Sequence, residues 1–362
     1  MAELSAENLA HPKPRWRLPR MQEAGLVGVI VLMGLILTVF GKPVTVRGEQ
    51  VNNFFRMSNL LGGVATPMAP IAIMALGATF VIISGGIDIS VGSIFALAAL
   101  GGAAALQRFP EDASAFKSIS LGLLVPSAIG LACGMLNGLL VTSLRMHPFI
   151  VTLGTMSIFR GLCNVTLPAG VKTLPYTGRV LPDSFTRDFM MYYARPLLQP
   201  IPMLLMLACV AGAWFYLMLM VAGRETYAVG GNEEAARFSG IRVGLVKLRV
   251  YALAGLLAGI AGAVSVGYFG TASANTGTGY ELTVIAAAVV GGASLSGGRG
   301  TALGALLGAL VIQLIEDGIP ILNFDPEYKT IIIGASIIIA VAIDRMSEQL
   351  RTRRLAGRRL LQ

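Results

Sequence analysis

The residues best placed to do chemistry stand in two small groups. The first is the run Gly-Gly-Asn-Glu-Glu-Ala-Ala-Arg-Phe-Ser-Gly at residues 230–240, a polar piece set between long apolar stretches. Asn232 is a helix-capping residue type. Glu233 and Glu234 then fall in the first turn, where the helix dipole favours negative charge, and Gly240 permits a left-handed exit. Gly231, Ala235, Ala236, Arg237 and Ser239 complete the candidate site, the two alanines leaving one face thin enough to enter a groove. Its chemistry is non-covalent: a charged handle for a soluble partner, or an ordinary capped loop helix. The second group centres on Asp88, an acid inside an otherwise apolar region. Such a group either contacts a polar solute or gate, or caps a broken helix just before the apolar run resumes at Val91. Gly85, Gly86 and Ser90 flank it. Asn137, Thr152, Thr155, Ser157 and Asn164 add neutral donors and acceptors inside apolar runs, as path-lining groups or as helix–helix hydrogen bonds.

Other chemistries lack their residues. Cys133, Cys163 and Cys209 sit in apolar runs without metal or pairing spacing, and His11 and His147 are isolated, so neither a metal site nor a nucleophilic triad is expected. The run Leu295-Ser296-Gly297-Gly298-Arg299 resembles the signature loop of ATP-binding-cassette ATPases. No GxxxxGK[ST] loop accompanies it, and the Gly41-Lys42 pair is followed by Pro43. Nothing in the chain cradles a nucleotide's phosphates, so it is read as a non-enzyme that holds no cofactor of its own.

The elements that must position these groups are membrane spans. Hydrophobic residues make up 55% of 362 positions and charged residues 13%, with mean hydropathy +0.72. The expected class is an all-α polytopic membrane protein. Ten apolar runs are long enough, or nearly so, to cross a bilayer: 24–40, 60–84, 91–107, 121–144, 149–163, 197–222, 248–269, 282–292, 301–315 and 330–343. An even count puts both ends together. Most Lys and Arg then fall on the same side as the ends, including Arg224, Arg237, Arg242, Lys247 and Arg249, which places that side in the cytoplasm. The organisation expected is a basic cytoplasmic tail at 1–20, one transmembrane domain at 21–344 with a cytoplasmic loop at 223–247 and an external loop at 164–196, and a second basic tail at 345–362. The first apolar run reads as an uncleaved helix. The net charge of +9 is accounted for by topology and anionic-lipid contact rather than by nucleic acid. Gly130, Gly134 and Gly138, like Gly255, Gly259 and Gly262, form small-residue seams for helix packing.

The glycines also echo. A shift of 206 positions pairs Gly85 with Gly291, Gly86 with Gly292, Ser90 with Ser296, Gly92 with Gly298 and Gly102 with Gly308. It sets Ser294 opposite Asp88. An internal two-fold repeat with glycine-interrupted helices is expected, and paired interruptions of this kind point to a translocation path.

Gly85-Gly86-Ile87-Asp88-Ile89-Ser90-Val91-Gly92-Ser93, Pro148 to Thr155, the 230–240 segment and Gly291 to Gly300 occur together in an order that resembles the ribose-type sugar permeases, within the branched-chain amino acid/ribose permease superfamily. Glu234-Ala235-Ala236 through Gly240 also fits the E-A-A-x-x-x-G pattern of importer coupling loops. The resemblance implies the membrane subunit of an ATP-binding-cassette importer in the bacterial inner membrane. Its partners would be an ATPase subunit, of the tandem-domain sugar type, that carries ATP and Mg and docks on 230–240, a periplasmic sugar-binding protein, and a second permease copy, identical or homologous. The solute implied is a ribose-like pentose or a hexose; a furanose autoinducer or a nucleoside is the alternative, and a secondary transporter the rival class. Arg179, Asp183, Arg187, Asp188 and Arg195 offer charges for the binding protein, and Ser294 and Ser296 join the path candidates.

Overall fold

The computed structural model describes residues 21–46, 48–176, 179–191 and 200–359. The basic stretch 1–20, Arg195 and residues 360–362 lie outside them. Among these residues the chain is helical, with two short antiparallel strand pairings. Helix α1 (Met21–Phe40) leads to a hairpin, β1 (Val44–Val46) with β2 (Glu49–Val51), paired Val44 to Val51. A π-turn at Asn59–Ala65 opens α2 (Thr66–Ile83), and α3 (Val91–Leu106), α4 (Ala115–Ser143) and α5 (Pro148–Val165) follow. Strand β3 (Thr173–Leu174) and a π-turn (Thr186–Met190) precede α6 (Pro200–Leu219), α7 (Val221–Gly231), α8 (Glu233–Phe238) and α9 (Val243–Phe269). Strand β4 (Ala272–Ser273), which pairs with β3, then leads to α10 (Tyr280–Val290), α11 (Ala302–Ile321) and α12 (Tyr328–Arg359).

Seven of these helices have the length and hydropathy to cross a membrane, and α3, α10 and the first half of α12 are shorter apolar helices, which together match the ten runs read from sequence. Three boundaries move. Helix α11 continues past Ile315 through Glu316 and Asp317, because both acids have partners: Lys329 Nζ lies 2.9 Å from Glu316, and Asn59 Nδ2 donates to Asp317 at 2.7 Å. Helix α4 begins six residues early, at Ala115. Helix α12 carries the last apolar run and most of the basic tail in one piece.

Helices α2 and α9 form the buried centre, with α3, α10 and α11 around them. α4 lies against α9 along the glycine seams. A Cβ on Gly130 would sit 2.7 Å from the Gly259 backbone, and one on Gly134 2.9 Å from Gly255, so the backbones approach as only glycine allows. Loops gather at two ends. One end holds 84–90, 144–147, 220–242 and 291–301. The other holds 41–46, 48–58, 107–114, 166–176, 179–191 and 270–279, tied by Asp183 N to Glu111 O (3.1 Å), Ala274 N to Lys172 O (3.4 Å) and the β3–β4 pair.

Both helix breaks lie at the first end, and they end their leading helices alike. Gly85 N reaches Ile82 O and Gly86 N reaches Val81 O, while Gly292 N reaches Val289 O and Ala293 N reaches Ala288 O. Gly85 and Gly292 occupy the left-handed position at φ +83° and +94°. The matching positions are therefore Gly85 and Gly292, one residue off the shift of 206. The second break is also longer, 291–301 against 84–90, so the following helices correspond at Ser90 and Thr301, their N-cap residues. Ser294 is not the counterpart of Asp88. The ungapped comparison slid over an insertion, the turn Ser294–Gly298, in which Gly297 N bonds Ser294 O.

Candidate coupling site

Helix α8 is built by its caps. Asn232 is extended (φ −162°, ψ 103°), and its side chain accepts from Ala235 N at 2.9 Å. Glu233 and Glu234 occupy the first turn. At the other end Gly240 N reaches Arg237 O and Ile241 N reaches Ala236 O, a Schellman closure that requires the φ of +83° found at Gly240. Ser239 Oγ donates to Ala235 O at 2.9 Å.

The six-residue helix presents three faces. Ala236 is buried against Val229, Val243 and Val246, with Ile241 beside it, so it seats α8 on α7 and α9. This corrects the expectation that both alanines enter a partner's groove; only Ala235 is exposed, because the helix needs one apolar contact with its own chain. Glu233 faces sideways, 3.2 Å from Arg237 and 2.7 Å from Lys247 of α9. The outward face carries Glu234, Ala235 and Phe238, whose ring is 85% exposed. Phe238 was missed as a site residue. Its signal was an aromatic one turn after Glu234 in a polar helix, where burial could not explain it.

Asn232 also ends α7, through its N–H to Ala228 O at 3.1 Å. The last turn of α7 is wedged between the two breaks. A Cβ on Gly230 would run into the Ile83 carbonyl at the end of α2 and come within 2.7 Å of Gly298 N. Gly298 N donates to Ile83 O at 2.8 Å, Gly297 packs its backbone on Gly230, and Tyr227 Oη donates to Gly300 O at 2.7 Å. A Cβ on Gly85 would come to 4.0 Å from the same Gly230 Cα. The handle and both interrupted helices are thus in direct backbone contact.

The first break is held by a buried polar clasp. Asp88 Oδ1 accepts from Ser90 N (2.8 Å) and Ser90 Oγ (2.6 Å), and Asn137 Nδ2 of α4 donates to Ser90 Oγ (2.8 Å). Thr152 Oγ1 of α5 lies 3.3 Å from both Ile87 O and Ile89 N, and Tyr251 Oη of α9 donates to Ile87 O at 3.4 Å. Asp88, Ser90, Asn137, Thr152 and Thr155 are all buried. Asn137 and Thr152 thus bond the break from α4 and α5, while Thr155 Oγ1 donates to Thr152 O on its own helix at 3.3 Å; Gly86 is buried and Gly85 exposed beside them. At the second break Ser294 is buried and accepts from Arg299 Nη2 at 3.1 Å, while Ser296 is exposed.

Ser157 and Asn164 remain on an exposed face. They lie on α5 with Gly154 and Gly161, around which there is open space. Arg160 of α5 donates to Ala274 O (2.7 Å) and Thr276 O (2.9 Å) in the turn after α9. At the loop-rich end opposite α8, Glu111, Asp112, Asp183 and Asp188 line an open acidic recess, with Arg187 paired to Asp183 at 2.9 Å. Among the described residues no group of His, Cys, Asp and Glu is arranged to hold a metal ion.

A helical membrane bundle with two interrupted helices and a capped polar helix beside them defines a permease component. Residues 60–341 match the family described as branched-chain amino acid transport system / permease component, and the chain belongs to it. The chain is 35% identical to the ribose import permease protein RbsC of Escherichia coli K12 over 91% of its length and 95% of the relative's. It is 38% identical to RbsC of Bacillus subtilis 168 (89% and 91%) and 34% identical to the galactose/methyl galactoside import permease protein MglC of E. coli K12 (91% and 96%). No solved structure matches it at a significant level.

Proposed function

We propose that the chain is the membrane subunit of an ATP-binding-cassette importer for a monosaccharide, a ribose-like pentose or a hexose, as the named solutes of its relatives support. A separate ATPase subunit, which holds ATP and Mg, docks on the outward face of α8 and drives transport. The observation that carries this reading is the contact of Gly230 with both breaks: a helix shaped for docking is joined, without an intervening loop, to the two places where the membrane helices are interrupted. A partner that pulls or tilts α8 moves the end of α7 and with it the Ile83 and Gly298 backbones. The end bearing α8 is then cytoplasmic, and the acidic recess with the loops at 107–114 and 166–191 faces a periplasmic binding protein. Ser157 and Asn164, on the open face of α5, line the half-path that a second copy completes.

Co-expression of the chain with its candidate ATPase subunit tests this. The two co-purify, and ATP hydrolysis rises when the sugar-loaded binding protein is added. A chain that purifies alone, with hydrolysis indifferent to the binding protein, contradicts the proposal.

A further inference from the structure

A cavity of about 470 Å³ opens beside α8, between the end of α4 and the start of α9. Arg145, Arg237, Arg242 and Lys247 line it against the one carboxylate of Glu233. Glu233 is already shared by Arg237 and Lys247, and Arg145 and Arg242 have no ion-pair partner among the described residues. The first turn of α9, a helix of 27 residues with no side-chain cap, borders the cavity at Val243 and Gly244. Val243 N–H is taken up by Ile241 O at 2.9 Å, which leaves the Gly244 N–H at the cavity edge, and guanidinium forks beside a helix N–H suit a phosphate, which has oxygens for both. Apolar side chains share the lining with the cations: Val141, Met146, Ile241 and Val243. Met146 on its wall is 42% exposed, and Leu144 and Leu245, next to Arg145 and Gly244, are 56% and 40% exposed. A free anion has no use for that apolar rim; an acyl chain does.

We propose that this cavity holds the phosphate headgroup of an anionic phospholipid, with its acyl chains along Leu144, Met146 and Leu245. The inference rests on the membrane placement of the permease reading but not on its solute or its ATPase. Glu233 gives the site a consequence: a headgroup that engages Lys247 competes with the Lys247–Glu233 ion pair that ties α9 to α8, so lipid binding sets how freely the docking helix moves.

The test uses the whole transporter complex, purified in mild detergent after reconstitution in an equimolar phosphatidylcholine and phosphatidylglycerol bilayer, with retained lipid read by native mass spectrometry. Wild-type complex retains phosphatidylglycerol in preference to phosphatidylcholine. Removing two cations in Arg145→Gln/Arg242→Gln weakens retention about 30-fold, at roughly fivefold per cation. The control Lys172→Gln/Arg187→Gln, at the opposite end, keeps it. Equal retention by the wild type and the first double variant overturns the proposal, as does full displacement by inorganic phosphate, which would make it a free-anion site. If the double variant does not assemble, the wild type decides alone: higher thermal stability in the mixed bilayer than in pure phosphatidylcholine is expected, and no difference overturns the site. Failure of sugar-stimulated ATP hydrolysis in both bilayers, with retention intact, would refute the importer reading and leave this one standing.

Discussion

Asn232, Phe238 and Gly240 divide the work of the docking helix among them. Asn232 supplies the cap that lets six residues hold a helical turn, and Asn232→Ala removes about 1 kcal/mol of local stability. Faster amide exchange confined to 233–238 is the expected readout. Phe238 is the large exposed side chain of the proposed docking face, and aromatic anchors of interfaces typically cost about 2 kcal/mol or more when truncated, roughly 30-fold in affinity. Phe238→Ala is therefore expected to weaken ATPase binding by about that factor, measured by titrating the ATPase onto detergent-purified chain, with unchanged affinity counting against the outward face. The caps were legible in sequence because capping is local chemistry, readable from Asn232 and Gly240 alone. The face of each residue was not, since whether Ala236 looks inward depends on Val229 and Val243 arriving from other helices.

Helix α7 is the strut of the proposed mechanism. Gly230, next to its last residue, has no room for a methyl group between Ile83 and Gly298, so Gly230→Ala forces the α7 end off the two breaks. The expected result is uncoupling: ATPase co-purifies as before, while sugar uptake in proteoliposomes falls at least about tenfold, the 1.4 kcal/mol that a modest displacement represents. Loss of both together would mean a folding defect and no special role. The seam of α4 and α9 answers a different assay. Gly134→Leu, against the Gly255 backbone, is expected to lower the thermal transition of the purified chain, whereas the same change at Gly154, around which space is open, leaves it within a degree or two. The seven long apolar helices and the three shorter ones were legible because apolar length is a one-dimensional signal. The break register was not: a shift without gaps cannot represent the inserted turn at 294–298, and glycine abundance supplied enough matches to hide it.

At the level of the whole molecule, family membership and the placement of charge at its two ends follow from separate facts and agree. The acidic recess of Glu111, Asp112, Asp183 and Asp188 stands at the end opposite α8, where the proposed function seats the binding protein. Reversing its charge in Asp112→Lys/Asp188→Lys is expected to slow association with the binding protein and flatten its salt dependence, measured by stopped-flow mixing at low and physiological ionic strength. The solute itself was never legible here, since the neutral groups that looked path-like, Asn137, Thr152 and Thr155, turn out to be buried in helix contacts. The central claim is that ATP work enters at α8. Sugar uptake into proteoliposomes holding the chain, its ATPase and the binding protein tests it most directly when wild type is compared with Glu234→Arg. The account predicts ATP-dependent uptake that is lost when the ATPase is omitted and at least tenfold lower in Glu234→Arg, the loss of about 1.4 kcal/mol of docking. Uptake that persists without the ATPase on an ion gradient, or is unchanged in Glu234→Arg, would contradict it.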